Sequence, residues 1–96
     1  MSDPFTVRTT PRFDRLLKKL SKKHPDLTSL FDEALAILKA DPYNRTRAHR
    51  IKKLQDVAAE DGWFRLRLGR WRFRYNIWGQ EVELTYCGLR REETYR

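Results

Sequence analysis

The chain changes its hydrophobic period once, near residue 63: apolar residues recur at helical spacing before it and alternate after it. Phe13, Leu16, Leu17 and Leu20 stand at i, i+3, i+4 and i+7, one stripe of an amphipathic helix. Leu27, Leu30, Phe31, Ala34, Leu35 and Leu38 repeat the period in a second. Thr10 before Pro11 supplies a cap and a proline at the first helical position. His24-Pro25 ends the first helix, because proline disfavours a helical residue before it. Asp26 is placed to cap the second helix, and Asp41-Pro42 stops it. So short a turn predicts an antiparallel helix pair. Ahead of both, residues 5–9 alternate and are rich in β-formers, which reads as a first strand.

Beyond Trp63 the period is two. Phe64, Leu66 and Leu68 alternate with Arg65 and Arg67; Trp71, Phe73, Tyr75 and Ile77 alternate with Arg72, Arg74 and Asn76. Val82, Leu84 and Tyr86 alternate with Glu81, Glu83 and Thr85. These are three half-buried strands in a meander, with tight turns expected at Gly69-Arg70 and Trp78-Gly79. Residues 43–55 are polar and basic and read as a loop ending near Lys53-Leu54. The pattern predicts one α+β domain over residues 1–96. A short N-terminal strand and an antiparallel helix pair pack on an antiparallel β-meander.

Charge adds what periodicity does not show. The net charge is +8, with +2 in residues 1–42 and +6 in residues 43–96. With a pI near 10.1, a nucleic-acid partner becomes a serious expectation, and its site is to be sought in the second half. A basic surface also suits an anionic membrane, but that reading needs a basic amphipathic helix, and the basic half here reads as strands. No apolar run approaches the roughly 20 residues of a membrane span. The opening MSDPFTVRTT lacks the apolar core of a secretory signal, and the single Cys87 excludes a disulfide within the chain. A cytoplasmic protein with no membrane partner is expected.

The hairpin register sharpens the site. A Gly69-Arg70 turn places Arg67 opposite Arg72 and Arg65 opposite Arg74. Like charges directly opposite one another cost up to about 1 kcal/mol per pair. A Trp78-Gly79 turn would set Asn76 opposite Glu81, Arg74 opposite Glu83, and Arg72 opposite Thr85. Arg65, Arg67 and Arg72 then lack a carboxylate across the sheet. Charged outward positions are ordinary in antiparallel sheets, so any single arginine here is equally well a solvated one. Three together suit an external anion, since guanidinium forks bind phosphate bidentately and stay charged. Arg45, Arg47, Arg50, Lys52 and Lys53 of the basic loop extend this surface as RNA-binding candidates. The lysines of the first helix read as a solvated face, and Trp63 and Trp78 as packing residues that also suit base stacking. No spaced His/Cys/Asp cluster, Gly-rich phosphate loop or G-x-S-x-G occurs, so neither metal nor cofactor is expected. Cys87 reads as a small packed residue rather than a nucleophile.

Lys53-Leu54, the run from Trp63 to Tyr75 (WFRLRLGRWRFRY) and the tail from Cys87 to Arg96 (CGLRREETYR) together resemble the RelE/ParE toxin superfamily. The family carries a "KL" before the sheet, an "R-x-R-x-G-x-x-R-x-x-Y" hairpin and a terminal "R…Y", and its element order matches the one read above. The resemblance implies the toxin of a type II toxin–antitoxin pair. In the RelE branch the toxin cuts mRNA in the ribosomal A site, with the 2′-hydroxyl as nucleophile and no metal. It implies catalytic roles for Arg65, Arg67, Arg72, one of Arg90 and Arg91, and Tyr95. Its implied partners are a cognate antitoxin, the ribosome and mRNA. In the ParE branch the same fold poisons DNA gyrase, so a gyrase poison or non-catalytic nucleic-acid-binding protein is the alternative. The first-strand basic residues are lysines in the best-known member; arginine here is a poorer proton shuttle.

Overall fold

A computed structural model of the chain describes residues 3–90. Its order is β1 (Thr6–Thr9), α1 (Pro11–Lys23), α2 (Asp26–Ala40), β2 (Ile51–Lys53), a 3-10 turn (Ala59–Asp61), β3 (Phe64–Leu68), β4 (Trp71–Trp78) and β5 (Glu81–Leu89). The fold class is α+β, as the two periods require.

Thr10 caps α1 as expected, its hydroxyl accepting the Phe13 N–H at 3.1 Å. Pro25, not Asp26, occupies the cap position of α2, and no side chain caps that end. Pro25 is itself helical, so Asp26 falls inside the first turn; its carboxylate accepts the Trp71 indole N–H at 3.3 Å. The helices are joined by His24 and Pro25 alone and meet through Phe13 and Phe31, whose rings lie 5.6 Å apart. The apolar stripes cover one face of the sheet. There Phe13, Leu27, Ala34 and Leu38 are buried against Leu66, Trp71, Phe73, Tyr75, Val82 and Leu84.

The sheet departs from the expected meander in three ways. It has five strands in the order β1-β5-β4-β3-β2, and β1 runs parallel to β5 from Thr6 opposite Glu81 to Thr9 opposite Leu84. The helix pair between them is a crossover long enough to permit parallel pairing. Secondly, residues 51–53 are not loop. They form β2, with Ile51 opposite Leu66. This strand is three residues long with lysine at two, the short charged edge that discourages further pairing. Thirdly, the second turn is Gly79-Gln80 rather than Trp78-Gly79, because Trp78 pairs with Glu81. Two-residue hairpin turns need positive φ at their first central residue. Gly69 (φ 58°) and Gly79 (φ 63°) both stand there.

A bulge then resets β5. Tyr75 faces Leu84 but Arg74 faces Tyr86, leaving Thr85 as the extra residue, its hydroxyl donating to the Arg74 carbonyl at 3.3 Å. Cys87 accordingly enters the core. Tyr86, expected inside by alternation, lies on the opposite face. Across that face runs the segment 57–63. Asn76 donates to the Ala59 carbonyl and accepts the Trp63 N–H, each at 2.8 Å.

Candidate nucleic-acid interface

Two rungs of the sheet carry the cations. On one, Lys52 faces Arg65, Arg65 faces Arg74, and Arg74 faces Tyr86. On the next, Arg67 faces Arg72 and Arg72 faces Gly88. The Arg67 N–H donates to the Arg50 carbonyl at 2.9 Å, bringing Arg50 to the end of this second rung. No acidic residue occupies either rung. The outer half is accessible: a depression of about 250 Å³ is lined by His49, Arg50, Ile51, Lys52, Arg65 and Arg67.

The inner half is not open in the way the register estimate implied. Arg74 does not face Glu83, and Arg72 does not face Thr85. Arg74 is 1% exposed, and its Nε and Nη2 donate to the Gly62 carbonyl at 3.3 and 3.0 Å. Arg72 is 3% exposed. Glu83 instead accepts from Trp78 Nε1 at 2.8 Å and Asn76 Nδ2 at 3.2 Å, and lies 3.2 Å from Arg8 Nη1. Burial pushes the Glu83 carboxyl up, but these hydrogen bonds and the Arg8 charge outweigh it and hold it below the usual range. Trp63 packs on Trp78 with centroids 5.3 Å apart, and Trp78 stays 44% exposed.

The basic loop is divided rather than gathered. Arg50 and Lys52 join the arginine face. Strand alternation sends Lys53 to the other side, 5.9 Å over the Phe64 ring. Arg45 lies 4.9 Å over Tyr43, whose ring meets Phe64 on that same side. Arg47, at φ 60°, is exposed in the loop. The loop is nonetheless built. The Asp41 carboxylate accepts from the Arg45 N–H at 2.8 Å, the Thr46 N–H at 3.2 Å and the Thr46 hydroxyl at 2.6 Å. Asn44 exchanges two hydrogen bonds with the His49 backbone. Burial raises the Asp41 carboxyl, but the Thr46 and Arg45 bonds prevail and set it below the ordinary aspartate value.

Arg90 follows β5, its N–H donating to the Arg70 carbonyl at 3.0 Å. Arg91 and Tyr95 lie outside the described residues. Alternation also hid Tyr86, which the bulge turns onto the arginine face. A glycine two residues beyond it, in a strand, is the local signal that marks such a close approach. Burial pushes the Cys87 thiol up to about 12, in keeping with a packed rather than reactive cysteine. Among the described residues, no three His, Cys, Asp or Glu side chains converge as metal ligands would, and no helix is long and apolar enough to cross a membrane. No protein-family model, no curated protein and no solved structure matches the chain.

Proposed function

We propose that the β2–β3–β4 face binds RNA phosphates, and that the chain is the toxin of a type II toxin–antitoxin pair acting as a ribosome-dependent mRNA endoribonuclease. The observation that carries the RNA reading is the open depression walled by Arg50, Lys52, Arg65 and Arg67, where Lys52 stands directly opposite Arg65 and no lining residue is acidic. An antiparallel sheet tolerates such repulsion more readily when an anion neutralises it. The nuclease reading adds the family resemblance of the hairpin. In that chemistry the mRNA 2′-oxygen attacks the adjacent phosphorus, the 5′-oxygen leaves, and a 2′,3′-cyclic phosphate results. Arginines stabilise the charge that builds on the phosphorane. They are poor proton acceptors, so the base falls to another group, for which the resemblance offers Tyr95.

A second reading is favoured by the burial of Arg72 and Arg74, which leaves Arg50, Lys52, Arg65 and Arg67 as the reachable cations. Three of these are arginines, which do not give up a proton readily, as suits a binding protein without nuclease activity. An antitoxin, on either reading, is expected to be an acidic chain that covers this face. The deciding experiment is cell-free translation followed by mapping of mRNA 5′ ends, with and without ribosomes. Cleavage at codon positions only when ribosomes are present supports the nuclease. Intact mRNA, with retained RNA binding that Arg65→Ala and Arg67→Ala weaken, supports the second reading.

A further inference from the structure

The cationic face does not end at β5. Tyr86 lies across Gly88: a Cβ at residue 88 would come 2.4 Å from the phenol oxygen and 2.9 Å from Cζ. Only glycine leaves room for the ring there. Gly88 is the cross-strand partner of Arg72, so the phenol reaches the border of the arginine cluster. Arg12 of α1 sits 5.3 Å from the centroid of the same ring, within cation–π range. β1 accompanies β5 only to Leu84, and α1 packs along the rest of the strand.

Between α1 and β5 opens a cavity of about 250 Å³ whose lining includes Leu16, Lys19, Lys23, His24, Tyr86 and Cys87. Among the described residues that line it, none is acidic. Asp26, close by in sequence, is turned to the Trp71 indole, while Arg70 Nη2 approaches His24 Nδ1 at 3.5 Å. Arg15, Lys19 and Lys23 stand at i, i+4 and i+8 on α1, a like-charged row that weakens a helix by a few tenths of a kcal/mol per pair. The helix dipole accounts for cations in the last turn, but not for Lys19 in the middle or Arg15 near the start.

We infer that this cleft between α1 and β5, with Lys19, Lys23 and His24 in its wall, is a second RNA phosphate subsite at the opposite edge of the sheet from Arg65 and Arg67. The inference rests on the RNA-binding reading above and extends it to α1. The cavity is smaller than the roughly 300–1,000 Å³ of pockets that enclose a drug-sized ligand, which suits a phosphate with part of its ribose.

The test is a salt titration of the full chain binding a fluorescein-labelled single-stranded RNA oligonucleotide. Each phosphate contact to a single strand contributes about 0.7 to the slope of log affinity against log salt. Loss of the one phosphate in the cleft with the Lys19→Ala/Lys23→Ala pair is expected to lower that slope by about 0.7, while Lys18→Ala/Lys22→Ala, on the same helix, leaves it nearly unchanged. Equal loss in both lysine pairs would reduce the effect to net charge and overturn the subsite. A loss with Arg65→Ala but none with Lys19→Ala/Lys23→Ala overturns the subsite and leaves the RNA-binding face standing. Failure of the unaltered chain to bind RNA overturns both. Poly-glutamate of equal charge bound with the same dependence on Lys19 and Lys23 would overturn the RNA assignment in favour of an acidic protein.

Discussion

At the scale of single residues, Arg74 shows how a change of one rung alters a role. Opposite Glu83 it would be an exposed pair contributing about 0–1 kcal/mol. Opposite Tyr86 it is buried and holds the Gly62 carbonyl with two N–H bonds. Arg74→Ala is therefore expected to destabilise by about 2 kcal/mol or more, through an orphaned buried carbonyl and lost packing of the arginine stem. Urea unfolding measures it; an unchanged midpoint would return Arg74 to the surface. Gly62 is equally constrained. At φ 89° a Cβ would lie 2.7 Å from both Thr85 Oγ1 and the Tyr75 backbone nitrogen, and the backbone atom cannot swing aside. Gly62→Ala should lower the melting temperature, whereas Gly79→Ala, with nothing within 4 Å of its Cβ, bears only the conformational cost. Cys87 supplies a probe of both. With its thiol buried and pushed up to about 12, alkylation at pH 8 is expected to require opening of the fold and so to speed up as urea lowers stability.

At the scale of elements, the loop after α2 is the part whose order depends on one side chain. Asp41 accepts three hydrogen bonds and positions the segment that leads into β2. Asp41→Asn would set an amide N–H₂ or a single oxygen where two oxygens accept, at a cost of about 1–3 kcal/mol. Faster amide exchange at Arg45 and Thr46, with β4 unaffected, is the expected signature. Loss of protection throughout the sheet would mean that the loop is integral to the core. The edge strand β2 draws on the same anchor: it is too short to hold register unaided, and Ile51 opposite Leu66 is its one apolar contact across the ladder. Period alone could not announce it, because three residues with a single apolar position carry no alternation.

At the scale of the whole molecule, the pH dependence follows from the two depressed carboxyls. Asp41 and Glu83 both titrate below their ordinary values in the fold. A group with a depressed folded pKa contributes stability above its unfolded value, near 4, and loses it as pH falls through the folded value. Stability is thus expected to stay level from pH 7 to about 5 and to drop below pH 4, where protonating carboxylates also add to the self-repulsion of a +8 chain. Urea midpoints across this range test the claim, and Asp41→Asn should flatten the acid limb. A steep loss near pH 6 would point to the histidines instead.

What the sequence by itself determined is what local spacing encodes: two helices stopped before Pro25 and Pro42, the first capped by Thr10, three strands of period two, a Gly69-Arg70 hairpin and the opposition of Arg67 to Arg72. Each depends on residues near in the chain, where turn chemistry and periodicity act directly. Of the residues to which the resemblance gives catalytic roles, Arg65, Arg67 and Arg72 share one face of the sheet, and Arg91 and Tyr95 lie outside the described residues. Only the tertiary structure decided the parallel pairing of β1 with β5, the strand at residues 51–53, and the side on which Tyr86 and Lys53 stand. The reason is that side-chain direction alternates with every residue. One bulge at Thr85 inverts everything beyond it, and where a bulge falls is set by what packs across the sheet: here Gly62, pressed against Thr85, Tyr75 and Arg74.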